Sequence, residues 1–219
     1  MDVVLLSRLQ FAFTVGFHFL FPPMTLGLSL IIFILELLYR RKKDELYKTM
    51  SAFFVKILGL IFVVGTATGI VLEFSFGNNW SQYSRLVGDI FGAPLAAEGV
   101  FAFFMESIFL GVLVFGRNKV SERLYSVSAF LVFFGSHLSG LWIIIANSWM
   151  QTPAGYTMEG GRAVLINFLE AALNHSTLIR YGHTVFASWI TGSLLVAGIS
   201  AWYLLKNRFK ELAQITLKL

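Results

Sequence analysis

A chain of 219 residues that is 57% hydrophobic and 13% charged, with a net charge of +5, is unlike a soluble domain, where about 25% of residues are charged. Twenty-three phenylalanines against four prolines exclude a disordered or low-complexity chain. With no cysteine, disulfides, thiolate-held iron–sulfur clusters and cysteine nucleophiles are excluded, and the redox compartment stays open.

The N-terminus, Met1-Asp2-Val3-Val4, lacks the basic flank and cleavage site expected of a signal peptide. A hydrocarbon core of about 30 Å needs about 20 apolar residues per helix. Five stretches meet this length, at about 9–38, 53–72, 94–115, 124–149 and 181–205. The expected fold is an all-α integral membrane protein, a single membrane domain over 1–219 whose five transmembrane helices form a bundle. Pro22-Pro23 lies inside the first stretch and predicts a kink, with neighbouring helices covering the freed carbonyls. Glu36 is a late acid at the far end of that span.

The basic residues lie between the spans, as membrane flanks rather than as a nucleic-acid surface. Segments after spans one, three and five hold twelve of them, from Arg40–Lys43 and Lys48, through Arg117, Lys119 and Arg123, to Lys206, Arg208, Lys210 and Lys218. The opposite side holds four, Arg8, Arg85, Arg162 and Arg180. Positive-inside asymmetry predicts the N-terminus outside and the C-terminus inside. Two long polar loops, about 73–93 and 150–179, are then expected outside, with Trp80, Trp142 and Trp149 near the outer interface.

Ionisable groups within a span are costly, so each is a functional candidate. His18 sits among Phe17, Phe19, Leu20 and Phe21; it is either hydrogen-bonded to a neighbouring helix or an axial haem ligand. His183 follows Arg180-Tyr181-Gly182, where Gly182 leaves room for a flat cofactor and Arg180 can pair with a propionate. His137 is flanked by Ser136 and Ser139, which offer it ready partners, and His175 is expected in solvent. The third span carries Glu98 and Glu106 with no Lys or Arg at i±3 or i±4. On an α-helix they are about 12 Å apart along the axis and about 80° apart around it. Such carboxylates can exchange protons. With the predicted topology, His18, Glu98 and His183 lie in the outer half of the membrane, Glu106 near its middle, and Lys56 at the inner end of span two. A redox centre near the outer face with a protonatable trail leading inward suits an enzyme that takes protons from inside.

Several of these segments resemble subunit I of cytochrome bd-type quinol oxidases. They are Ser7-Arg8-Leu9-Gln10-Phe11, His18-Phe19-Leu20-Phe21, Thr25-Leu26-Gly27, Gly88 to Leu95, Ala97-Glu98-Gly99, Phe103-Phe104-Met105-Glu106-Ser107, Ala146 to Pro153 and Gly198 to Leu204. The resemblance implies a quinol:O2 oxidoreductase of a respiratory chain in a bacterial or archaeal cytoplasmic membrane, active as part of a multi-subunit complex. It implies haem b, low-spin and high-spin, and the haem d that the family carries beside them. It assigns His18 as axial ligand of a high-spin haem, Glu98 to the high-spin pair near the O2 site, and His183 as an axial ligand of the low-spin haem. Glu106, Ser107 and Lys56 resemble the inner proton route, and Arg8, Glu73 and Asn147 resemble polar supports of the haems.

Subunit I of that family continues for about as many residues again, through a quinol-binding loop and four helices that carry the remaining haem ligands. Met150 and Met158, in the outer loop, are not matched to those ligands. Expected partners are therefore a chain supplying the missing half, a subunit II-like protein, small single-span subunits, quinol and the bilayer. A split subunit, a shortened paralogue and a fragment are all compatible with the sequence. His137 replaces a residue that is more often Asn in the family. A haem-binding electron-transfer or scaffold relative is the alternative to an oxidase, and retention of both Glu98 and Glu106 favours the oxidase. A transporter would require repeats and paired broken helices, and the sequence displays neither.

Overall fold

Two prolines decide where the first crossing divides. In the computed structural model, which describes residues 2–218, helix α1 (Val3–His18) ends just before Phe19-Leu20, and α2 (Phe21–Lys42) begins with Pro22 and Pro23 in its first turn. There the missing N–H groups cost nothing, because first-turn donors have no intrahelical partner. The expected kink is thus a break between two helices, with Phe19 N–H still bonded to Val15 O at 2.9 Å. Lys43 closes α2 in the left-handed region (φ 55°). Asp44 then accepts from Leu46 N–H at 2.9 Å and caps α3 (Glu45–Gly77), of 33 residues.

Only a short turn at residues 78–80 follows before α4 (Ser81–Ala97). The loop expected over 73–93 is therefore mostly helical: Asn78 and Asn79 make the turn, while Val87, Ile90 and Phe91 repeat at helical spacing and are buried. Helix α4 runs without interruption into a π-helical segment, Glu98–Phe103, and then into α5 (Phe104–Phe115). Pro94, within α4, removes one helical donor just ahead of that segment. Helix α6 (Glu122–Gln151) is capped by Ser121, whose Oγ accepts from Leu124 N–H.

The second loop folds as a small platform. Strands β1 (Tyr156–Glu159) and β2 (Arg162–Leu165) pair antiparallel, Glu159 opposite Arg162, across Gly160 and Gly161, both at positive φ. A two-residue hairpin turn of this kind needs positive φ at both central residues, which glycine adopts without strain. Asp89 Oδ2 accepts from Leu165 N–H at 2.7 Å, and Val87, Ile90, Phe91, Trp149, Ala163 and Ala171 seal the joint. Helix α7 (Phe168–Ala172), the long α8 (Thr177–Leu205) and a short α9 (Lys210–Thr216) complete the chain.

Among the described residues, five segments are long and apolar enough to cross a bilayer: Val3–Lys42, Glu45–Gly77, Pro94–Phe115, Glu122–Gln151 and Thr177–Leu205. The protein is a multi-pass, all-α membrane protein. Helix α2 is its axis, packed on α3, α6 and α8. Gly27 and Gly192 bring α2 and α8 so close that a Cβ on either would strike the other's backbone, the small-residue packing that membranes favour. Leu28, Ile32, Leu35, Met50, Phe54, Leu58, Leu113 and Val132 fill the core.

At the end of the bundle opposite the hairpin, Arg117 Nη1 pairs with Glu36 Oε1, whose side chain is 1% exposed. Arg117 also donates to Lys48 O at 3.1 Å and lies 4.3 Å from the centre of the Tyr125 ring. Tyr39 and Lys43 bond Glu122 at 2.8 and 2.6 Å. These contacts tie α2, α3, the α5–α6 connection and α6 together at the basic end.

Candidate functional site

The π-helical segment begins at Glu98 and ends at Phe103, three residues before Glu106, so it lies between the two membrane carboxylates. Eight α-helical residues overshoot two full turns by about 80°. Wider turns with i→i+5 bonds rotate less per residue and offset that overshoot. Both side chains accordingly reach α6: Ser139 Oγ donates to Glu98 Oε1 at 2.7 Å, and Ser136 Oγ donates to Glu106 Oε1 at 2.7 Å. Glu106 is buried at 5% exposure, and Glu98 is half-buried. Chain position suggests these two serines as partners of His137. They serve the carboxylates instead.

The histidines differ in which ring nitrogens are free. His18 Nδ1 lies 2.9 Å from Thr68 Oγ1, and that hydroxyl donates to the Val64 and Gly65 carbonyls at 3.0 Å. With its one hydrogen directed to these carbonyls, the hydroxyl is assigned as acceptor from Nδ1–H; in that tautomer the Nε2 lone pair is free, as a metal-binding imidazole requires. Gly69 makes room for the ring, since a Cβ there would come within 3.3 Å of His18 Cε1. His183 is exposed on α8, on the same face as Ile179, Phe186 and Ile190. Hydrocarbon accommodates a bare imidazole poorly, so this face suits a covering group. A Cβ at Gly182 would meet nothing within 4 Å. Both residues fit the role of haem ligand.

His137 does not fit it. Nδ1 lies 2.8 Å from Phe133 O, and Trp189 Nε1 donates to Nε2 at 2.9 Å, so both nitrogens are engaged. His175 is exposed.

The other predicted residues are more scattered. Arg8, Glu73 and Lys56 are exposed on α1 and α3, and Asn147 is half-buried on α6. Ser107 Oγ donates to Phe103 O at 2.7 Å within its own helix. Met150 Sδ accepts from Tyr83 OH at 3.1 Å, and Met158 is exposed on β1. Sequence reasoning misses Thr68 as the partner of His18, Ser136 and Ser139 as partners of the carboxylates, and Trp189. Thr68 lies toward the far end of the second predicted span, in Gly65-Thr66-Ala67-Thr68-Gly69, where an unexplained hydroxyl is a usable signal; nothing in the sequence pairs Trp189 with His137.

The chain matches the family described as cytochrome bd terminal oxidase subunit I over residues 6–219. It is 45% identical over 208 residues to cytochrome bd ubiquinol oxidase subunit 1 of Bacillus subtilis (strain 168), covering 95% of this chain and 44% of that one. It is also 45% identical over 214 residues to cytochrome bd-II ubiquinol oxidase subunit 1 of Escherichia coli (strain K12), covering 97% and 42%. The solved structure of bd oxidase from Geobacillus thermodenitrificans superposes with a TM-score of 0.91 at 28% identity, over 98% of this chain and 50% of that one. The chain thus spans about half the length of the relatives it matches.

Proposed function

The chain belongs to the cytochrome bd terminal oxidase subunit I family, and from that premise we propose that it forms the haem-bearing front half of a membrane quinol oxidase that reduces O2 to water. The observation that carries this reading is the convergence of Glu98 and Glu106 on one serine-bearing stretch of α6, in a bundle that also offers His18 with a free ring nitrogen. Haem supplies O2 binding and one-electron transfer when bound. His18, held by Thr68, offers Nε2 to a high-spin haem, and His183 offers its ring to the low-spin haem. Glu98 serves the high-spin pair. Glu106, with Ser136 as its hydroxyl partner, holds and passes protons toward Glu98. Lys56 and Ser107 belong to the inner approach of that route, and Arg8, Glu73 and Asn147 support the haems.

The complete enzyme requires a chain supplying the remaining half of subunit I, a subunit II-like protein and small single-span subunits. Quinol is the electron donor. The basic end faces the cytoplasm, so the hairpin and both histidines lie toward the outside of the cytoplasmic membrane. The test is to purify the complex assembled with those partners, count haem by pyridine haemochrome, record visible spectra, which identify any haem d, and measure quinol-driven O2 uptake. Haem with O2 uptake is expected. A haem-loaded complex that consumes no O2 with any quinol would favour an electron-transfer role.

A further inference from the structure

We propose that His137 is a positioning residue that sets the rotation of α8 and thereby aims His183. This rests on the reading of His183 as an axial ligand. Two side chains of α8 converge on this one residue of α6. Tyr181 OH donates to His137 O at 3.0 Å, and Trp189 Nε1 donates to His137 Nε2 at 2.9 Å. Tyr181 and Trp189 are eight residues apart, about 12 Å along the helix, so the two bonds restrain both rotation and axial sliding. His137 is itself fixed by Phe133 O at 2.8 Å and by the Phe133 ring, 4.3 Å between centroids.

The angles identify what this clasp controls. Taking Tyr181 as zero, Trp189 lies at about 80° and His183 at about 200° around α8. His183 therefore points almost directly away from the clasped face. An imidazole nitrogen roughly 6 Å from the helix axis moves by about 1 Å for each 10° of rotation, given a Cα radius of about 2.3 Å. A binding constellation tolerates only about 0.5 Å of misplacement. The same stretch of α6 holds Glu106 through Ser136, so the carboxylate and the α8 histidine take their register from adjacent residues.

The experiment uses the complete oxidase complex and the electron paramagnetic resonance g-values and midpoint potential of the low-spin haem, at measured haem content. Trp189→Phe removes the donor but keeps an aromatic ring, and is expected to shift both. His137→Leu is expected to shift them similarly, while His137→Gln, which can still accept from Trp189, restores them toward wild type. Unchanged g-values and potential in Trp189→Phe, even with lowered stability, would overturn the proposal, as would a His137→Gln variant as altered as His137→Leu. His183→Ala serves as the separate control: retention of the low-spin signal there would refute the ligand reading itself.

Discussion

Removing the cation from the buried Arg117–Glu36 pair tests how the bundle is held at its basic end. Arg117→Leu leaves the Glu36 carboxylate, 1% exposed, without its ionic partner. Breaking a buried pair by deleting one member costs about 3–5 kcal/mol. The lost bond to Lys48 O adds about 1 kcal/mol, and loss of the cation over the Tyr125 ring adds about 0.5–2 kcal/mol. These contributions overlap, so a total of about 4–6 kcal/mol is expected from the same ranges. The double variant Glu36→Leu/Arg117→Leu removes both charges and should recover most of the ion-pair share, since apolar replacements of buried pairs are often neutral. Denaturant unfolding in mild detergent, followed by tryptophan fluorescence, would measure both. A loss below about 1 kcal/mol in Arg117→Leu, or a double variant no more stable than the single one, would refute the buried-pair reasoning.

Glu106→Gln should leave the haem spectra nearly intact and slow quinol-driven O2 uptake, whereas Glu98→Gln should disturb the high-spin spectrum; unchanged turnover in both would make these carboxylates structural. Gly27→Ala should destabilise the α2–α8 contact by about 1–3 kcal/mol, because the added Cβ meets the Ser188 carbonyl and Gly192 backbone. Gly88→Ala, with open space around it, should be neutral or slightly stabilising in the same unfolding assay. Reporter fusions at Lys43 and Lys210 should read as cytoplasmic, and an external reading at Lys210 would refute the orientation.

The spans are legible in the sequence because lipid imposes a length and a hydropathy that each helix must meet. His18, His183, Glu98 and Glu106 stand out for the same reason, as groups costly to place in hydrocarbon. Partners across helices are not legible. Ser136 and Ser139 flank His137 in the chain, yet on a helix those neighbours point in different directions, and only packing against the third span reveals that they face carboxylates. Helix α4 is hidden by Asn78, Asn79, Ser81 and Gln82, whose polarity reads as loop. Pro22-Pro23 signals a disruption, but whether the helix bends or restarts is decided by tertiary contacts.

The π-helical segment makes length as constrained a quantity as residue identity. A wide turn can be regarded as an α-helix that has absorbed one extra residue. Deleting one residue from 99–103 should let the stretch relax to a regular helix. Glu98 and Glu106 would then be separated by seven α-helical steps, about 700°, only about 20° short of two full turns. Both carboxylates would keep facing α6. The same deletion in the regular helix to either side has no slack to consume and rotates whatever precedes it by about 100°. Ahead of the wide turn, in α4, it would pull Asp89 away from the hairpin it anchors. Behind it, in α5 beyond Glu106, it would carry Glu106 out of reach of Ser136. A scan of one-residue deletions along 88–112 should therefore show a narrow window of tolerated haem incorporation at the wide turn, flanked by loss on both sides. At the wide turn this crossing can lose one residue and still turn both carboxylates toward α6.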